Sequence, residues 1–182
     1  MSTRRDFLQL SGGMFAIGTT AYFLGHRSTL EGLQSLPTGM GSHTDFGSWN
    51  LADRDGNTVH LSAQIRPATG VILYFIRANC EWCSRNRVAV NAIAEQLRTR
   101  YSAIGVLTEG DWPGTETYLF PVFRLQDSSS RLAIVQATPT TKFFTAEGSL
   151  EMAVEGAYVG ANKRSLETQL GVILPDVWDF KL

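Results

Sequence analysis

The chain has 182 residues, 43% of them hydrophobic, with a formal net charge of −1. That is enough for one globular domain plus extensions, and no internal repeat is visible. A near-neutral balance with no long run of Lys or Arg leaves no electrostatic footprint for nucleic acid.

The first stretch, Met1-Ser2-Thr3-Arg4-Arg5-Asp6-Phe7-Leu8, has a charged start followed by a moderately apolar run diluted by Gly12, Gly13 and Gly18. This is a targeting pattern and is kept out of the core. The string TRRDFL is similar to the twin-arginine export signal, with Gln9 where that pattern often has Lys. Residues 1–26 therefore read as a twin-arginine-type signal or a membrane anchor, since residues 7–25 are about long enough to span a bilayer. Residues 27–46, rich in Gly, Ser and Thr, read as a linker, and residues 47–182 as the folded domain.

Two short strands are predicted at Trp49–Leu51 and Thr58–Leu61, around the turn dipeptide Asp55-Gly56. His60, in the second, reads as a partly exposed strand residue. The central feature follows at Val71–Cys83, VILYFIRANCEWC. Six consecutive apolar residues, Val71–Ile76, predict a strand buried on both faces. Beyond the cysteines, Val88, Val90, Ile93, Ala94 and Leu97 recur at helical spacing, predicting a helix to about Arg100. Cys80 and Cys83 thus stand where a strand ends and a helix begins.

That position has a chemical consequence. The unpaired N–H groups and the dipole of a helix's first turn favour a thiolate, lowering its pKa below the free value of about 8.5. A cysteine one turn later can close a small disulfide. The spacing thus points to a redox pair, with Cys80 as nucleophile and Cys83 as resolving thiol. The competing readings are an inert buried pair or a metal site. His26, His43 and His60 are the only histidines, and none has ligand spacing, so no metal is expected. The loop between the cysteines is too short for a disulfide to stabilise much, which favours a working pair.

Ala103–Leu107 reads as a second buried strand, completing a βαβ unit. Leu119–Leu125 is a short strand or an irregular insert, because Pro121 argues against a central strand. Ser128–Val135 reads as a short helix. Thr138-Pro139 opens a strand through Thr145, where the proline has either a cis or a trans bond. Glu147-Gly148 marks a hairpin to a returning strand at Leu150–Val159. Asn162 is expected to cap a last helix ending near Leu170, with Gly171 as its stop. Trp178 and Phe180 are expected to pack back on the domain.

A βαβ unit with Cys80-Glu81-Trp82-Cys83 at the helix start, then Thr138-Pro139, a hairpin and a final helix, resembles the thioredoxin-like superfamily over about Trp49–Leu170. The leading hairpin and export segment look like the TlpA-type periplasmic branch. ILYFIRANCEWC, FPVF and GANKRSLETQL look at least as much like TraF/TrbB-type proteins of conjugative systems. The resemblance implies an α/β fold, a central mixed sheet flanked by helices with an N-terminal β-hairpin extension. It implies a cis Pro139 against the cysteines, and substrate binding by Trp82, Thr138 and Pro139. Thioredoxin's buried acid, six residues before the first cysteine, is replaced here by Tyr74.

The expectation is a periplasmic thiol-disulfide oxidoreductase, reductase or isomerase, soluble or anchored to the inner membrane. It would exchange disulfides with envelope proteins, draw on an upstream thiol donor or acceptor, and need no cofactor. The alternatives are a metal-carrying thioredoxin-like chaperone or a non-catalytic assembly factor of an envelope complex.

Overall fold

The computed structural model describes residues 44–114, 118–126, 135 and 137–177. The export segment, nearly all of the linker, the Ser128–Ile134 part of the expected helix, Trp178 and Phe180 lie outside them. The strands and α-helices of the described residues follow in order: β1 (Asn50–Ala52), β2 (Thr58–His60), β3 (Gly70–Arg77), α1 (Glu81–Gln96), β4 (Tyr101–Glu109), β5 (Val122–Leu125), β6 (Thr140–Phe144), β7 (Leu150–Glu155) and α2 (Gly160–Leu170). The strands form one seven-stranded sheet in the order β2-β1-β5-β4-β3-β6-β7. Neighbours β3, β4 and β5 run parallel and the other pairs antiparallel. The architecture is a mixed α/β sheet with the hairpin β1–β2 joined to it through β5.

β3 shows why the apolar run belongs at the centre. Side chains alternate across a strand, so Ile72, Tyr74 and Ile76 enter one core layer while Val71, Leu73 and Phe75 enter the other. All six are at most 2% exposed. Fully burying each aliphatic or aromatic side chain contributes about 1.5–3 kcal/mol. The first layer is closed by α1 and its C-cap, through Val90, Ile93 and Leu97, and by α2, through Leu166 and Leu170. The second is closed among the described residues by Phe46, Trp49 and Leu61, from two short 3-10 turns and their flank. Both described helices therefore serve the same layer.

Several boundaries differ from expectation. α1 ends at Gln96 rather than near Arg100. Leu97, its buried C-cap, has non-helical backbone, and its carbonyl accepts from both Arg100 N and Tyr101 N as the chain reverses into β4. β2 ends at His60, because Leu61 N donates to Trp49 O and begins a 3-10 turn. β7 ends at Glu155, where Gly156 turns back to donate to Pro139 O at 2.7 Å.

Asn162 does not cap α2. The helix starts at Gly160 with Val159 as an N-cap that offers no side-chain bond. The Asn162 amide instead donates to the carbonyls of Glu155, the last residue of β7, and Ala157 in the turn between β7 and α2. Gly171 does end the helix, in the left-handed conformation at φ 67°. Pro121 precedes β5, which is an internal strand between β1 and β4. The proline donates nothing, but its carbonyl accepts from Gly105 N at 2.8 Å.

Candidate active site

β3 carries the chain to the site and stops abruptly. Its register with β4 shifts between Ile76 and Arg77, and Ala78-Asn79 make a turn with Asn79 at φ 57°. Ala78 N donates to Glu109 O at 2.9 Å, pinning the turn to the end of β4. Gly110 lies so close that an added Cβ would meet Ala78 Cβ at 2.3 Å. Two strand ends thus fix the approach to the cysteines.

Cys80 is the N-cap of α1 and is joined to Cys83 by a disulfide, with 5.2 Å between their Cα atoms. Cys83 N donates to Cys80 Sγ at 3.1 Å. That is one of the orphan N–H groups of the helix start, aimed at the sulfur that would carry negative charge after reduction. Cys80 is part-exposed while Cys83 is 3% exposed. An attacking or attacked group from solvent therefore meets Cys80 first.

The electrostatics around the pair are mixed. Glu81, in the first turn, forms an ion pair with Arg85 one turn on. The Arg85 guanidinium also lies 5.1 Å from the Trp82 ring centroid. Arg85 thus offsets the Glu81 charge directly. Arg77 and Arg87 line a cleft instead.

Beneath the disulfide the core is polar but uncharged. The Tyr74 hydroxyl donates to Cys83 O at 3.2 Å. Burial, with smaller contributions from Tyr158 and Tyr118, pushes its pKa well above 10. Asn86, fully buried, donates to Gly156 O at 3.1 Å and accepts from Tyr158 N at 3.0 Å. The Tyr158 hydroxyl is hydrogen-bonded to Thr141 Oγ1, and burial raises its pKa as well. Where Tyr74 replaces an acid, the structure supplies a neutral donor.

Thr138-Pro139 is a cis peptide bond. Phe75 pairs with Thr140 across antiparallel β3 and β6, so Pro139 lies at the sheet end where β3 leads into the cysteines. Pro139 is buried, and Thr138 Oγ1 is a buried hydroxyl without a hydrogen-bond partner. Trp82 is half-buried on α1. The five sequence-predicted site residues, Cys80, Trp82, Cys83, Thr138 and Pro139, thus lie in two segments that reach the same end of the sheet.

His60 is exposed on β2, which is an edge of this sheet. Among the described residues no group of three or more His, Cys, Asp or Glu could hold a metal.

Sequence reasoning missed the cleft. About 580 Å³ in volume, it is bounded by both cysteines, Arg77, Arg87, Trp112 and Tyr118. Tyr118 is wedged 6.0 Å from the Tyr74 ring and 5.4 Å from Phe120, and burial raises its pKa to about 12. The Arg124 guanidinium lies 5.4 Å from the Trp112 ring centroid. The aromatic content of residues 112–120 was the available signal, but nothing local ties it to Cys80.

No protein-family model matches the chain, and no curated protein matches it. Solved structures do match. A Chlorobium tepidum protein assigned as the thiol:disulfide interchange protein DsbE aligns with a TM-score of 0.54 at 20% identity, covering 67% of this chain and 89% of that one. The exposed lipoprotein thioredoxin of Streptococcus pneumoniae aligns at 0.50 and 20% identity, covering 68% and 98%. A secreted disulfide oxidoreductase of Mycobacterium tuberculosis aligns at 0.50 and 14% identity, covering 68% and 94%. With these likenesses, the mixed sheet, the C-x-x-C pair at a helix start and the cis proline beyond it, the chain has the thioredoxin-like fold.

Proposed function

We propose that the protein is an exported thiol-disulfide oxidoreductase, working as a reductase or isomerase on envelope proteins. The observation that carries the reading is the Cys80–Cys83 disulfide at the start of α1, with Cys80 part-exposed and its sulfur hydrogen-bonded to Cys83 N. The secreted, lipoprotein and interchange relatives support both the chemistry and an extracytoplasmic site of action. The twin-arginine-like start supports export, to a soluble or membrane-anchored form.

In the reducing direction, the Cys80 thiolate attacks one sulfur of a substrate disulfide. A Cys80–substrate bond forms, the substrate S–S bond breaks, and the departing sulfur leaves as a thiolate that takes up a proton. Cys83 then loses its proton and attacks Cys80 Sγ, releasing the second substrate thiolate. The substrate gains two electrons and two protons, and the protein is left as the disulfide seen here. An upstream dithiol returns it to the reduced state. Trp82, Thr138 and Pro139 form the substrate-facing rim, and no cofactor takes part.

The reduction potential of the pair, followed by Trp82 fluorescence in glutathione or dithiothreitol buffers, tests the reading. A value near −250 mV or below assigns a reductase, and one above about −180 mV an isomerase or oxidant. Absence of a reversible two-electron transition would remove the redox function.

A further inference from the structure

The cleft beside the disulfide contains more recognition chemistry than disulfide exchange requires. Its floor is rigid, because Ala78 N is bonded to Glu109 O and Gly110 packs on Ala78. Its aromatic wall is also fixed: Tyr118 is held between Tyr74 and Phe120, and Trp112 faces the Arg124 guanidinium. At about 580 Å³ it has the size of a ligand site, suited to a few residues of extended chain rather than a folded element.

The charges lining it are unequal in availability. Four charged side chains contribute: Arg77, Arg87, Glu81 and Asp111. Glu81 is held by Arg85, whereas neither Arg77 nor Arg87 makes an ion pair with a described residue. Asp111 is exposed and is the one lining carboxylate without an ion pair among the described residues. Glu109, the register partner of Arg77, makes no ion pair with it. The first turn of α1 adds its positive dipole end, through Glu81, Cys83 and Ser84. Two available guanidiniums, a helix start and aromatic faces favour a carboxylate-bearing chain.

We propose that this cleft docks an acidic segment of the polypeptide whose cysteines exchange with Cys80–Cys83. The inference rests on the oxidoreductase reading and names its substrate class. An extended segment seated against Trp112 and Tyr118, its carboxylates on Arg77 and Arg87, would run alongside the disulfide and present a neighbouring cysteine to Cys80.

The test uses synthetic peptides carrying one cysteine pair flanked by four glutamates or by four lysines, and serine-substituted versions of both. Binding of the serine peptides is measured by fluorescence anisotropy, and turnover of the disulfide peptides with dithiothreitol as donor. The glutamate peptide should bind about tenfold more tightly at low ionic strength, with the gap closing in high salt. Its turnover should show the same preference. Arg87→Glu and, on the exposed side, Arg77→Glu should bring the ratio between the peptides to one or below, while Arg87→Lys keeps it. Because each variant is judged by a ratio, changes in the disulfide itself cancel. Equal binding of the two peptides, or a preference untouched by both charge reversals, overturns the docking site. Turnover without preference would do so while leaving the redox function standing. Charge-dependent binding with no turnover of either peptide leaves the docking surface and removes the oxidoreductase reading.

Discussion

The Tyr74 hydroxyl donates to the Cys83 carbonyl at 3.2 Å, tying the middle of β3 to the first turn of α1 directly beneath the disulfide. The helix start is thereby anchored from below by a neutral group. Tyr74→Phe removes that bond while keeping the aromatic ring. Stability should fall by about 1 kcal/mol, measured as a shift in urea midpoint. The pH dependence of disulfide exchange between pH 5 and 9 should keep its shape, because the phenol stays protonated throughout that range.

Burial raises the pKa of Tyr74, Tyr118 and Tyr158 above the ordinary tyrosine value of about 10, to about 12 for Tyr118. The folded state therefore holds these protons more tightly than the unfolded chain. Their contribution is complete below about pH 10 and is lost as pH rises through the folded values. Stability should be insensitive to these groups at neutral pH and fall on the alkaline side. Tyr118→Phe should flatten part of that alkaline decline. Denaturant midpoints at several pH values between 7 and 11 check this.

Asn86 joins α1 to the β7–α2 turn with both ends of its amide, and it is fully buried. Asn86→Ala leaves Gly156 O and Tyr158 N without that partner in a buried site. The cost should be about 2–4 kcal/mol, read from equilibrium unfolding. Asn86→Asp, which keeps one acceptor but buries a charge, should be destabilising and become less so as pH falls and the acid is protonated.

Gly110 has φ 82°, and a Cβ there would strike Ala78. Gly110→Ala should destabilise by at least about 1 kcal/mol and push apart the ends of β3 and β4 that set the cysteine turn. A lowered melting temperature together with an altered Cys80–Cys83 reduction potential is the expected pair of changes.

Burial separates the two sulfurs. Cys83→Ser should accumulate a mixed disulfide on the accessible Cys80, visible as a covalent adduct by mass spectrometry. Cys80→Ser should be inert in insulin reduction. Glu81→Gln removes the carboxylate beside Cys80, so the Cys80 thiol should ionise at lower pH, followed by thiolate absorbance of the reduced protein. Its effect on stability should be under about 1 kcal/mol, since the Glu81 side chain is exposed to solvent.

What could be read from the sequence was local. The six-residue apolar run forms the middle of β3, because a strand buried on both faces takes apolar residues at every position. The C-x-x-C spacing marks a helix start because the following residues recur at helical period. Gly171 ends α2 because the backbone there needs a left-handed residue. The thioredoxin-like fold was implied by a resemblance, through Cys80-Glu81-Trp82-Cys83 at a helix start and Thr138-Pro139 before a hairpin and a last helix. The tertiary structure decided the pairings between distant residues. Asn162 is a good cap by type, yet neighbouring carbonyls in the β7–α2 turn claim its amide. Pro121 argues against a central strand, yet β5 is internal because the proline sits just before its first residue. Tyr74 bonded to Cys83, Asn86 to Tyr158, and Trp112 and Tyr118 lining one cleft with Arg87 arise where the sheet brings separated segments to one end. Hydrogen bonding, burial and cleft shape act through space, and no periodicity along the chain encodes which distant partner each side chain will meet.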